Sequence, residues 1–156
     1  YSTRASDISL SDWTYSSNNP CPSGWRVPSR WNFWDLYRGT GSDTSPTPSN
    51  YTGTDNTWAW RAGSNSSSPY AIGGVIITAT NAFGAEEKLF LPALGYRLSS
   101  SGALYDVGAG GCYYWSSTYR INSYAYAFYF GSGNVEAGYG YTYEAVGQSV
   151  RCVAEF

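Results

Sequence analysis

The sequence contains no histidine and no methionine, and only 13% of its 156 residues are charged. Without an imidazole, Ser/His/Asp and Cys/His nucleophile activation are excluded, as is any histidine-ligated metal site. Nine basic residues against eleven acidic ones give a formal charge of -2, so the basic field that a phosphate backbone demands is missing. Nucleic acid is not an expected partner. No run of about 18 apolar residues occurs, and YSTRASDISL lacks the basic-then-apolar layout of a signal segment. The expectation is a soluble chain without direct membrane insertion, either mature or cut from a longer protein. Three cysteines, Cys21, Cys112 and Cys152, allow at most one intramolecular disulfide, and spacing does not choose the pair.

Aromatic residues, by contrast, reach 19%, with 16 Tyr and 7 Trp set among Gly, Ser, Thr and Asn. That mixture suits short strands joined by many turns. The length fits a single domain, residues 1–156, large enough to bury a continuous core.

Residues 1–20 read as a short strand around Trp13 and Tyr15, followed by the turn cluster SSNNP. Ser29 after Pro28 caps a helix through about Arg38, with Gly39 ending it and Trp31, Trp34, Leu36 and Tyr37 forming its buried side. From Thr40 to Gly74 the chain is rich in Ser, Thr, Asn, Pro and Gly, yet Trp58 and Trp60 interrupt it. Linkers rarely carry tryptophan, so an ordered long loop is expected. Strands are expected at VIITAT, KLFLPALGYR, part of SSSGALYDVGAGG, CYYWSST, SYAYAFYF and QSVRCVAEF. The total is one or two early helices and six or seven short, mostly late strands, an α+β pattern. Asn50-Tyr51-Thr52 and Asn65-Ser66-Ser67 match the glycosylation tripeptide, a pattern frequent by chance in such a composition.

Catalytic patterns are sparse. Glu86-Glu87-Lys88, the densest charged cluster, reads as a solvated turn, and Asp35, Asp43, Asp55 and Asp106 are dispersed outside any calcium-loop pattern. Cys112 has no basic neighbour to lower its pKa and reads as a buried, inert thiol. The glycine runs 108–111 and 131–133 precede strands, so they are turns and not phosphate-binding helix starts. No catalytic residue, metal site or cofactor is expected.

The tyrosines carry more. Nine of the 16 fall between Tyr113 and Tyr143. In YAYAFYF a two-residue period puts Tyr126, Phe128 and Phe130 on a core face and Ala125, Ala127 and Tyr129 on the other. In GYGYTYE, strict alternation sends Tyr139, Tyr141 and Tyr143 to one side, opposite only Gly140 and Thr142. Either these tyrosines are the buried face or the segment is an exposed loop. Tyr, Ser, Gly and Asn also dominate antibody combining loops, where a rigid amphipathic ring gives contact area at small entropic cost.

CPSGWRVPS (21–29), LPALGYR (91–97), YYWSST (113–118) and SVRCV (149–153) resemble, in order and approximate spacing, the Fibrobacter succinogenes major paralogous domain of Bacteroides-type surface proteins. That resemblance covers roughly residues 15–154 and implies a compact C-type-lectin-like fold with long loops. It also implies that Cys21 and Cys152, which stand in two of its motifs, are the disulfide pair. The stretch from about 119 to 146, closed by GQSVRCV, is similar to the variable region of diversity-generating retroelement proteins. In those proteins substitutions at template adenines turn Asn codons into Tyr, Ser, Asp, Gly, Ala, Ile or Arg codons, a set that fits the residues here. EPN, QPD and WND are absent and no oxidase cysteine pair is recognisable, so neither calcium-dependent sugar binding nor oxidase activity carries over.

The resemblance implies a ligand-binding module without catalysis, on a bacterial cell surface or a phage particle, with a protein or glycan ligand. Its expected contact residues are Tyr119, Arg120, Asn122 and Tyr124 from the first loop, Tyr129 on the outward strand face, and Tyr139, Tyr141, Tyr143 and Glu144. A carbohydrate-binding domain and a structural tip or stalk domain of a surface fibre are the alternatives.

Overall fold

The computed structural model describes residues 19–38, 56–63, 72–80, 83–108, 111–119, 124–133, 135–143 and 145–155. Among them are one helix, α1 (Arg30–Arg38), and ten strands: β1 (Trp25–Arg26), β2 (Asn56–Arg61), β3 (Gly74–Thr80), β4 (Glu86–Pro92), β5 (Tyr96–Arg97), β6 (Leu104–Tyr105), β7 (Cys112–Tyr119), β8 (Tyr124–Phe130), β9 (Val135–Tyr143) and β10 (Val153–Ala154). Every strand pairing is antiparallel, in four small sheets ordered β1-β10, β2-β3-β4, β5-β6 and β7-β8-β9. The architecture is α+β and rich in small sheets.

Helix α1 begins where its cap dictates. The Asn32 backbone N–H donates to Ser29 Oγ at 3.3 Å, and the Ser29 backbone N–H donates to Asn32 Oδ1 at 2.9 Å, a reciprocal pairing that satisfies a donor at each end of the first turn. Its buried side departs from the expectation. Phe33 is 3% exposed and Leu36 packs against the core, whereas Trp31 is 57% exposed. Trp31 is set about 200° around the helix from Phe33, so both cannot face the same core. The side chains of Trp34 and Tyr37, and Gly39, lie outside the described residues.

The expected long loop holds a strand. In β2, Asn56, Trp58 and Trp60 alternate with exposed Thr57, Ala59 and Arg61, the period of a half-buried strand. Trp58 and Trp60 lie opposite Ile77 and Val75 of β3, which in turn pair with Leu89 and Leu91 of β4. Glu86, Glu87 and Lys88 open β4 and form no turn, though they are exposed as expected.

The core joins Phe33 of α1 to Val75, Ile77 and Leu91 of the first sheet and to Cys112, Tyr114, Phe128, Phe130 and Val135 of the last. Phe33 and Phe128 stack with centroids 4.8 Å apart and planes 7° from parallel. Cys21 and Cys152 form a disulfide beside β1 and β10, where Trp25 pairs with Ala154 and Arg26 with Val153. Gly95 has a φ of +68°, and a Cβ there would collide with the Tyr105 carbonyl, so the chain entering the β5-β6 hairpin requires glycine.

Candidate ligand-binding surface

Sheet β7-β8-β9 carries most of the expected contact residues. On β8, Phe128 and Phe130 are fully buried, as the alternation predicts, whereas Tyr126, expected on the same core face, is only half-buried and lies under Arg30. The opposite face is covered too at mid-strand: Ala127 is buried and lies across from buried Trp115, whose backbone N–H donates to the Ser149 carbonyl at 2.9 Å. Among the side chains described, partly exposed tyrosines lie at the two ends of the sheet.

At one end Tyr124 pairs with Tyr143, ring centroids 4.7 Å apart, with Tyr124 half-buried and Tyr143 56% exposed. At the other end Tyr129 does not join them. It lies roughly 17 Å further along β8, where its ring meets Tyr113 at 4.9 Å. Tyr113 in turn meets Tyr96 edge-on at 5.3 Å, and Tyr96 meets Tyr105 at 6.1 Å. Burial, and after it the Asp106 carboxylate and Tyr105, push the Tyr96 phenol above its ordinary pKa.

GYGYTYE, expected as a contact surface and not as a further strand, falls largely within strand β9, and its alternation is broken. Tyr139 lies opposite Ala127 and Tyr143 opposite Tyr124, with register shifts on either side of Ala127. An extra residue in one strand of a pair interrupts strict alternation, so the three tyrosines do not follow one uninterrupted two-residue repeat. Tyr119 ends β7 opposite Ala125. The side chains of Tyr119, Tyr139 and Tyr141, and the whole of Arg120, Asn122 and Glu144, lie outside the described residues.

The sequence reading missed the cluster that adjoins Tyr124. The Arg30 guanidinium lies 4.4 Å from the ring centroid of Trp31 and 4.4 Å from that of Tyr126. Strand β7 has a register shift between Trp115 and Tyr119. Residues near the shift turn to the helix start, Thr118 Oγ1 accepting from the Arg30 backbone N–H at 3.0 Å and the Ser117 N–H donating to the Pro28 carbonyl at 2.8 Å.

No family model, curated protein or solved structure matches the chain. The family resemblance therefore rests on the motifs quoted above, and the site must be judged on its own chemistry. Cys112 is buried, and burial raises its thiol pKa; Tyr114, likewise raised by burial, donates its O–H to the Pro92 carbonyl at 2.8 Å. Both groups stay protonated at neutral pH. Among the described residues no three Cys, Asp or Glu side chains gather to hold a metal ion, and no helix is long and apolar enough to cross a membrane. A separate hollow of about 480 Å³ lies between α1, β4 and β10, lined by apolar groups including Trp25, Phe33, Leu36, Leu89 and Val153. It offers stacking and burial but no acid/base pair.

Proposed function

We propose that this chain is a ligand-binding module of C-type-lectin-like fold whose residues 119–146 form a diversified, tyrosine-rich recognition surface. The observation that carries the reading is the Tyr124–Tyr143 pair: two rings in contact, one of them more than half exposed, at the sheet end opposite the Phe130–Val135 rung. The hydrophobic core is built from Phe33, Phe128, Phe130 and the first sheet, and the exposed ring of Tyr143 lies outside it. Rings with a polar tip provide binding area at low entropic cost. Recognition comes from side chains, with neither catalysis nor cofactor. The Cys21–Cys152 bond supports an oxidising location, on a cell surface or a phage particle.

Sibling genes from the same locus test the diversification. Their differences are expected to concentrate at residues 119–146 in adenine-type codons; variation spread evenly along the chain would sink the idea. A second experiment addresses the surface. Tyr143→Ala is expected to change folding stability by no more than about 0.5 kcal/mol in a urea titration. The same variant should weaken ligand binding by about 2 kcal/mol. A large loss of stability would return Tyr143 to a packing role.

A carbohydrate ligand is the second reading, favoured by the row Tyr105, Tyr96, Tyr113 and Tyr129, whose rings lie near the Asp106 carboxylate. Hits across a broad glycan array would support it, and their absence would favour a protein ligand.

A further inference from the structure

We propose that Arg30 is an anion-recognising residue that takes a carboxylate group of the ligand at the edge of the tyrosine-rich surface. The inference rests on the proposed function only for the location of the ligand; the chemistry stands on Arg30 itself. Its guanidinium carbon lies over two aromatic rings, 4.4 Å from each centroid, and such cation–π contacts restrict its orientation. Among the described residues no carboxylate or carbonyl accepts from the guanidinium N–H groups: Arg30 donates through its backbone to Thr118, and the ion pair seen is Lys88 with Glu86. The residue is nevertheless part-buried, and a part-buried charge with no acceptor among the described residues is costly.

Its place on the helix sharpens the point. Arg30 is the first residue of α1, and the first turn contains no acidic residue. A cation at a helix N-terminus opposes the macrodipole, whereas an anion there is favoured by both the dipole and the guanidinium. The neighbouring Arg26 is already committed, donating to Asn32 Oδ1 at 2.9 Å and to the Val27 carbonyl at 3.4 Å. A guanidinium edge matches the planar two-oxygen fork of a carboxylate. A phosphate dianion would call for more positive charge than this single group and a chain of net charge -2 supply.

The location connects the group to the proposed surface. Tyr126, beneath the guanidinium, is one alternate position along β8 from Tyr124, on the same face by the strand period and about 7 Å away. Tyr124 is in ring contact with Tyr143. A ligand stacked on that pair brings an acidic side chain within reach of Arg30.

The test is a titration of the disulfide-bonded, 15N-labelled protein with sodium acetate, and separately with inorganic phosphate, at constant ionic strength, following the arginine Nε–H resonances. Arg30→Lys assigns the signal. Acetate is expected to produce a saturable shift at Arg30, at a concentration about tenfold below that needed at exposed Arg61. Trp31→Ala removes one stacking face from an exposed position and is expected to weaken the acetate response several-fold without altering thermal unfolding. An Arg30 response equal to that of Arg61, or one unchanged by Trp31→Ala, would overturn the proposal. A stronger response to phosphate than to acetate would overturn the carboxylate assignment. Acetate needs no knowledge of the natural ligand, so this outcome is independent of the sibling comparison.

Discussion

Replacing Cys21 and Cys152 with serine is expected to cost on the order of 5 kcal/mol of folding stability. The bond joins residues separated by 131 positions, and closing a loop of about 100 residues already removes roughly 4.7 kcal/mol of chain entropy from the unfolded state. For a chain of this size the loss corresponds to a fall of about 10–20 °C in the unfolding midpoint. It also approaches the total stability of many domains, about 5–15 kcal/mol. There is a local reason for the effect to be large. Strands β1 and β10 share only two paired rungs, Trp25 with Ala154 and Arg26 with Val153, too few to persist without a tether. Urea titrations of the oxidised protein and the double variant measure the difference. A loss below about 1 kcal/mol would mean that the cross-link restricts the unfolded chain far less than its loop length requires.

Phe128→Ala is the second large effect, at about 4 kcal/mol. Phe128 is fully buried and connects three elements: it stacks on Phe33 of α1 at 4.8 Å, tilts against Trp58 of β2 at 5.8 Å and meets Phe130 at 5.7 Å. Truncation removes the ring from water-free packing and leaves a cavity whose walls belong to separate segments, so collapse around it is restricted. Part of the cost is specific to the Phe33 stack. A cycle with Phe33→Ala is expected to return a coupling of about 1 kcal/mol. Chemical denaturation measures both quantities, and a Phe128→Ala loss no larger than that of Tyr143→Ala would contradict the division between core and surface rings.

That division was only partly legible in the sequence. Strands β3, β7 and β8 could be read because VIITAT, CYYWSST and YAYAFYF are β-branched or aromatic runs, and the period of β8 identified Phe128 and Phe130 as core. The start of α1 was legible because Ser29 is a local cap. Its buried stripe was not. RWNFWDLYR carries aromatic residues on several sides, so hydrophobicity alone does not choose between Phe33 and Trp31; the stack available to Phe33 on Phe128 does. Strand β2 was hidden because NTWAWR lies in a Ser/Asn/Gly-rich stretch. Of the expected contact residues, Tyr124 and Tyr143 meet while Tyr129 joins a different ring row. Alternation could not reveal the register shifts in β9, which depend on pairing with β8. Nor could it reveal Arg30 over Tyr126, because the two are brought together only when α1 docks on the end of β7.

The Cys21–Cys152 bond also determines how the molecule carries mechanical tension. A pull applied through residue 20 and residue 153 passes from one cysteine to the other across the disulfide. The intervening chain, with all of α1 and strands β1 to β9, lies outside that load path. A force applied instead at Tyr143 enters at the end of β9 and is resisted by the β8-β9 ladder and the packing beneath it. The fold is thus insulated from stretching through residues 20 and 153 and loaded when the end of β9 is pulled.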